Sequence, residues 1–364
     1  MKVLHISSAR TWRGGEQQIA YLLEGLQSFD VEQVIFCPEN SPLWSWCKDR
    51  SFQVHAYRKA NLSPRVVRQL IRLIRNVEPD LIHMHDSHGH TYGVLAHTFG
   101  PKIPMVLHRR VDFPVKPNVF SRWKYNHPGI KAILCVSGFI RQLLLPDIRR
   151  TDILYTVYSG IDPDRFGQPQ ITSKGLRSVF SVPAGEVIIA NIASLAPHKD
   201  YYTFVRTVRL LKDQGLQAHY FAIGGDGGEM ETVRSFAQEL DLEKEITFTG
   251  FRTDVAALAQ DIDVLLITSK EEGLCTTILD AFAGKIPVVA TNAGGIPELV
   301  KNEITGLLAP IKDHQKLAHQ VVRMLDHTEL RNSCKEGGYE LAKSFDYHRM
   351  ARTIYQHYAG ILKG

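Results

Sequence analysis

The sequence predicts an α/β protein of two domains, each built on a mostly parallel sheet. Three observations carry this. Short apolar runs alternate with segments of helical periodicity along the chain, the pattern of parallel strands joined by crossover helices. The chain has 364 residues, 44% apolar and 22% charged, enough for two α/β domains with their own cores. Between two such series lies 167–183, whose Pro, Gln, Ser and Gly content marks a connection.

In the first series, strands are predicted at Lys2–Ser7, Val31–Cys37, Gln53–Ala56, Asp80–His85, Pro104–His108, Lys131–Val136 and Ile153–Val157. Gly14 and Gly15 fall between the first strand and a helix from about Glu16 to Gln27. Backbone without a Cβ can approach a ligand there, although no G-x-G-x-x-G fingerprint is present. The Pro64–Val77 segment sets Arg65, Arg68, Arg72 and Arg75 among apolar residues. It reads first as a domain helix with a solvated arginine face, and second as a helix lying on an anionic bilayer.

His83, His85, His88 and His90 invite a metal reading, but no cysteine and no H-x-x-x-H spacing supports zinc. The expectation is no metal, with His88 and His90 in a loop and the group lining a cleft. His108 ends a strand, and carboxyl ends of parallel strands face the ligand crevice. Arg109 and Arg110 follow as candidate partners for phosphate or an acidic acceptor. The next segment, K-P-N-V-F-S-R-W-K-Y-N-H, mixes basic and aromatic residues. It suits an acceptor or lipid headgroups, or equally an ordinary helix and loop.

The second series opens with V-I-I-A-N-I-A-S-L-A-P-H-K-D and continues through Ala218–Ile223, the 246–255 segment, Val264–Ile267 and Ile286–Ala290. Asp261-Ile262-Asp263 spells D-x-D, yet its register suits a helix end, so it reads as structural. The informative stretch is 269–300. Glu272-Gly273 breaks an apolar strand, Thr276–Ala283 reads as a helix, and Gly284 stops it. The free N–H groups and dipole at such a helix start favour a phosphate. Glu272 stands at the mouth of the turn. Asp280 is expected two helical turns further in, on the same face. Acids beside a phosphate site make sense if they accept hydrogen bonds from sugar hydroxyls.

This stretch resembles the donor-sugar motif of retaining GT-B glycosyltransferases of family 4: an acid, seven residues, a second acid, then G-K-I-P-V-V-A and G-G-I-P-E. The resemblance covers nearly the whole chain. It implies two Rossmann-like domains facing each other across a central cleft, with 1–166 on the acceptor side, 167–345 on the donor side, and 346–364 as a helix packing back on the first domain. It assigns His108, Lys199 and Glu272 to catalysis. It assigns Gly14, Gly15, Ser194, Gly224, Phe251, Arg252, Gly273, Leu274, Cys275, Thr276 and Asp280 to donor binding. Two positions depart from the family: Ser194 stands where Arg is common, and Asp280 where Glu is usual. Arg13 or Arg109 is a candidate substitute for the missing cation.

The implied reaction moves a hexose from a nucleotide sugar, a UDP-sugar first and GDP-mannose next, to a glycan or lipid-linked acceptor. The nucleotide sugar is a substrate; no cofactor and no metal are expected. The alternatives are a nucleotide-sugar epimerase of similar fold and a sugar-nucleotide-binding protein without catalysis. The net charge of +5 is too modest to argue for nucleic acid and suits an anionic ligand or membrane surface. Five scattered cysteines without C-x-x-C read as reduced thiols in a cytosolic protein. No apolar run approaches a membrane span and no signal peptide is evident, so any work at a membrane is expected from its inner surface.

Overall fold

The computed structural model describes residues 1–58, 63–167 and 174–364. Contacts divide it into two units, Met1–Gly160 with Tyr347–Gly364, and Ile161–Asp346.

The first unit holds β1 (Lys2–Ile6), β2 (Glu32–Pro38), β3 (Gln53–Tyr57), β4 (Leu81–Met84), β5 (Met105–Arg109), β6 (Ile130–Cys135) and β7 (Leu154–Thr156). They form one parallel sheet in the order β3-β2-β1-β4-β5-β6-β7. Sequence order reverses between β1 and β4, and such a switch point opens a crevice at the carboxyl ends of the strands. One sheet face packs under the helices Gly14–Leu26 and Tyr347–Lys363, through Val3, Leu81 and Val106 against Leu22, Leu26, Ile354 and Tyr358. Gly25 permits the close helix crossing, because a Cβ there would lie 2.5 Å from Ala351 Cβ.

The second unit holds β8 (Val187–Ile192), β9 (Ala218–Ile223), β10 (Ile246–Gly250), β11 (Val264–Ile267), β12 (Val288–Thr291) and β13 (Leu307–Ala309). Its order is β10-β9-β8-β11-β12-β13, again parallel, with the switch point between β8 and β11. Strands buried on both faces read as unbroken apolar runs, which is why most of this sheet was visible in the sequence.

Several expectations are corrected. The first boundary lies at Gly160, not 166. Ile161 pairs with Asp346, and the Pro163–Gly167 helix packs on Thr276–Ala283 in the second unit. His88 and His90 lie in a helix, Ser87–Phe99, whose N-terminus is capped by Asp86 accepting from the N–H of His88 and Gly89. His90 is no cleft residue: it is buried and donates to the Lys124 carbonyl at 3.1 Å. As first read, the Pro64–Val77 helix turns Val66, Val67, Leu70, Leu73 and Ile74 into its own unit and leaves its four arginines exposed. Asp261 and Asp263 accept backbone N–H bonds from Arg177 and Ile188, which makes D-x-D a structural tie. All five cysteines are free thiols. Among the described residues, no helix is long and apolar enough to cross a membrane.

Candidate active site

The switch point of the second unit brings together two residues distant in sequence. Lys199 ends a 3₁₀ turn after β8, and Glu272 lies in the loop after β11. Lys199 Nζ meets Glu272 Oε1 at 2.5 Å, and Ser269 Oγ donates to the same oxygen at 2.8 Å. The two residues predicted as separate ligand groups form one ion pair. Side-chain exposures of 18% and 8% leave it shielded but reachable.

The surrounding loop is held from two sides. Thr268 Oγ1 donates toward the Lys199 and Asp200 carbonyls at 3.1 Å, tying β11 to the turn after β8. From the other side, Gly294 and Gly295 lie against the loop backbone, and Gly295 N–H donates to the Glu272 carbonyl at 3.0 Å. A Cβ at Gly294 would stand 2.0 Å from the Glu272 oxygen, and one at Gly295 2.3 Å from that of Gly273. The G-G-I-P-E motif is therefore a backbone clamp on the acid loop.

The helix Thr276–Ala283 begins where the sequence placed it. Cys275 is its N-cap in the left-handed conformation, φ 69°, and makes no side-chain cap hydrogen bond. The αL residue turns the chain so that the Thr276 and Thr277 amides head the helix, the arrangement that attracts anions. Leu274 is buried beneath, anchoring the turn. Glu272 precedes this helix, and Asp280 is only its fifth residue, so the acids do not share two turns of one helix as expected. Asp280 is half-buried. Burial, the largest effect, pushes its carboxyl up to about 7, Arg165 opposes this, and Asp162 adds to it.

The remaining donor-side residues gather at the carboxyl ends of β8, β9 and β10. A Cβ on Gly224 would sit 1.9 Å from the Ala193 carbonyl oxygen, beside Ser194. Gly224 bridges Gly250, and Phe251 follows, 66% exposed. Arg252 donates to the Asp254 carboxylate at 2.8 and 2.5 Å, a partly exposed pair.

In the first unit, Gly14 and Gly15 are the first two residues of their helix, not a loop before it, and Gly15 has open space where a Cβ would be. Glu16 closes a capping box by accepting the Arg13 N–H at 2.9 Å. Across the switch point, Asp86 accepts the N–H of Ser8 at 2.5 Å and also its hydroxyl. His108 is buried, and neither ring nitrogen offers an open edge: Nδ1 faces Arg110 at 3.2 Å and Nε2 is enclosed. His83 and His85 are likewise buried instead of lining a cleft, His83 against the Tyr358 hydroxyl and His85 against His5 at 3.0 Å. Burial, the largest effect, and the neighbouring cation Arg110 hold His83, His85 and His108 neutral, well below the usual histidine range.

His5, His83 and His85 lie close enough to surround a metal ion. The Arg110 guanidinium, donating to the His85 carbonyl at 2.9 Å, puts a fixed positive charge against that trio and disfavours a cation there. Arg109 is withdrawn from any ligand: it is buried, bonded to the Tyr125 hydroxyl at 2.7 Å and to the Phe113 carbonyl. Sequence reasoning missed Ser8, Asp86 and Ser269, whose roles depend on which strands adjoin. Arg110 was named as a partner for phosphate or an acidic acceptor, not as the group that packs on the histidines.

Two doubly wound parallel units, with an acid–lysine pair and an uncapped helix start at the switch point of the second, define the GT-B class of glycosyltransferases. The chain belongs to that class: residues 12–165 match the family model described as Glycosyltransferase Family 4, and residues 174–341 that described as Glycosyl transferases group 1. It is 22% identical over 343 residues to an Escherichia coli UDP-Gal:alpha-D-GlcNAc-diphosphoundecaprenol alpha-1,3-galactosyltransferase, covering 88% of each chain. It is 23% identical over 349 residues to the lipopolysaccharide core biosynthesis glycosyltransferase LpsD of Rhizobium meliloti, covering 94% of each. Among solved structures, Anabaena HepE in complex with UDP-glucose superposes with a TM-score of 0.87 at 18% identity, over 99% of this chain and 100% of that one.

Proposed function

We propose that this glycosyltransferase moves a hexose from a nucleotide sugar, a UDP-sugar before GDP-mannose, to a glycan or lipid-linked acceptor in cell-surface polysaccharide synthesis, with retention and without a metal. The observation that carries the reading is the Lys199–Glu272 pair beside the open start of the Thr276–Ala283 helix. Breaking the sugar–phosphate bond builds negative charge on the leaving diphosphate. Lys199 and the amides heading that helix supply fixed positive charge for it. Glu272 accepts hydrogen bonds from sugar hydroxyls, and Asp280 takes the ribose. The acceptor hydroxyl attacks the anomeric carbon on the face the diphosphate leaves. The new C–O bond forms as the bond from the anomeric carbon to the diphosphate oxygen breaks, and that departing oxygen takes the hydroxyl proton. The UDP named for the Escherichia coli relative and for the Anabaena complex supports the first choice of nucleotide.

A thermal-shift screen of UDP-, GDP- and ADP-sugars tests the donor, since a ligand that binds the folded state raises its melting temperature. Transfer assays with and without EDTA test metal independence, and the anomer of the product tests retention. No stabilisation by any nucleotide sugar would sink the reading.

Two further expectations arise here. Gly15→Ala adds a methyl into open space at a helical position, so the melting temperature should hold or rise slightly. Transfer should nevertheless fall, because the backbone there approaches substrate; unchanged turnover would remove Gly15 from the site. Asp280→Asn tests the raised carboxyl. A free aspartate releases its proton near ~3.9, while folded Asp280 keeps it to about 7. The folded state therefore binds the extra proton across that window, and stability drains away as pH rises through it. The variant should match wild type near the lower limit and exceed it above the upper one by about 1–2 kcal/mol, after allowance for partial exposure. Melting curves across that range decide it, and identical pH profiles would refute it.

A further inference from the structure

Two donors share one oxygen of the Glu272 carboxylate. Lys199 Nζ at 2.5 Å and Ser269 Oγ at 2.8 Å both approach Oε1. A carboxylate oxygen carries two lone pairs, so these donors fill it. Ser269 is itself fixed from behind. It is buried, and Thr291 Oγ1, on β12, donates to its carbonyl at 2.5 Å. Thr268, one residue earlier, ties the same segment to the turn that carries Lys199. The Ser269 hydroxyl therefore reaches Glu272 from a frame shared by two strands and a turn.

Cys275 adds a second neutral donor. Its φ of 69° lies in the left-handed region, where a side chain costs free energy that glycine avoids. The adjoining clamp does use glycine at its own left-handed position, Gly294 with φ 52°. At 275 a thiol stands instead, hydrogen-bonded to Glu272. Burial of the thiol, the largest effect, and the Glu272 charge push it well above its usual range, so it stays protonated and donates. A strained residue beside a reacting group points to a role for its side chain.

We propose that Ser269 is a positioning residue in the transfer: with the Cys275 thiol, it keeps Glu272 Oε1 on Lys199 and leaves Oε2 to receive a hydroxyl of the donor sugar. The proposal rests on the transferase reading and adds how the acid is aimed. On that reading the amides heading the Thr276–Ala283 helix hold the diphosphate whether or not the acid is aimed. The acid decides whether the anomeric carbon meets the acceptor. Nucleotide binding and turnover are therefore separable, and loss of the Ser269 hydroxyl disturbs the second while sparing the first.

The experiment compares wild type with Ser269→Ala, Ser269→Thr and Cys275→Gly in steady-state transfer, in UDP binding by calorimetry, and in ligand-free crystal structures. Ser269→Ala removes a hydrogen bond to a charged group. It is expected to lower kcat about 10-fold or more, with donor KM and UDP affinity held within about 2-fold. Ser269→Thr, which keeps the hydroxyl, should recover most of the loss. Cys275→Gly relieves backbone strain, so it should melt with or above wild type and yet turn over more slowly. In crystals of Ser269→Ala and Cys275→Gly, the Glu272 carboxylate should leave its single orientation on Lys199. Wild-type kcat in Ser269→Ala overturns the proposal. So does a fall in UDP affinity that matches the fall in kcat, which would make the hydroxyl a support of the loop alone. If wild type turns over no sugar nucleotide, the transferase reading falls by itself. The crystals then judge the positioning, which is overturned by a carboxylate unmoved in both variants.

Discussion

Lys199→Ala is expected to lower transfer about 10²- to 10³-fold, the usual loss when one preorganised group is removed from a developing charge. The same change strands Glu272, which keeps the Ser269 hydroxyl at 2.8 Å and the Cys275 thiol as neutral hydrogen-bonding side chains. An uncompensated acid in so sheltered a place costs about 2–3 kcal/mol, below the full penalty for a buried pair because some solvent reaches it. Glu272→Ala should mirror this, with a lone ammonium left behind. The pair therefore predicts strong non-additivity: the double variant should be no less stable than the sum of singles, and closer to wild type by about 1–2 kcal/mol than that sum. Denaturant melts of the four proteins measure the coupling, and simple additivity would mean that the 2.5 Å contact carries no energy. Kinetics separate the roles. If Lys199 serves the leaving group, its loss appears in kcat as well as in donor KM.

Gly294→Ala is expected to be more damaging than its size implies. The residue has φ 52°, and its new methyl would stand 2.0 Å from the Glu272 carbonyl oxygen, 2.9 Å from its carbon and 3.0 Å from its nitrogen. These are backbone atoms of the acid loop, so relief requires the loop to move. A loss of roughly 3 kcal/mol or more, together with loss of nucleotide binding, is the expected outcome. Gly228→Ala is the control. It has φ 105° but nothing within 4 Å of a new Cβ, so it isolates backbone strain at about 1 kcal/mol without a clash. Equal effects at the two positions would show that the clamp on Glu272 is unimportant.

The sequence was informative where side chains alone dictate structure. The apolar runs gave most strands, and the Thr276–Ala283 helix was placed to the residue because Gly284 and the apolar spacing bound it. The helix Ser87–Phe99 was missed because His, Gly and Thr fill its first turns, and a single carboxylate, Asp86, compensates by capping it. Edge strand β13, three residues long, offers no periodicity to read. The site was legible as a motif but not as an assembly. Lys199 and Glu272 were both named, yet their direct pairing depends on β8 and β11 being neighbours at the switch point, which is a property of topology. His108 was chosen for its place at a strand end. Alternation along β5 instead turns its ring into the layer beneath the Tyr347–Lys363 helix, with His83 and Tyr358. Arg109 was offered to phosphate or an acidic acceptor because it too lies at a strand end. Its burial against Tyr125 and the Phe113 carbonyl reverses that expectation.

The central claim is that the start of the Thr276–Ala283 helix receives the diphosphate of the donor. Amide chemical-shift mapping of the labelled protein during titration with UDP tests it most directly. The account predicts the largest displacements at Leu274 to Thr277, shrinking in Lys199→Ala. Displacements concentrated elsewhere, with those four amides unmoved at saturation, would contradict it.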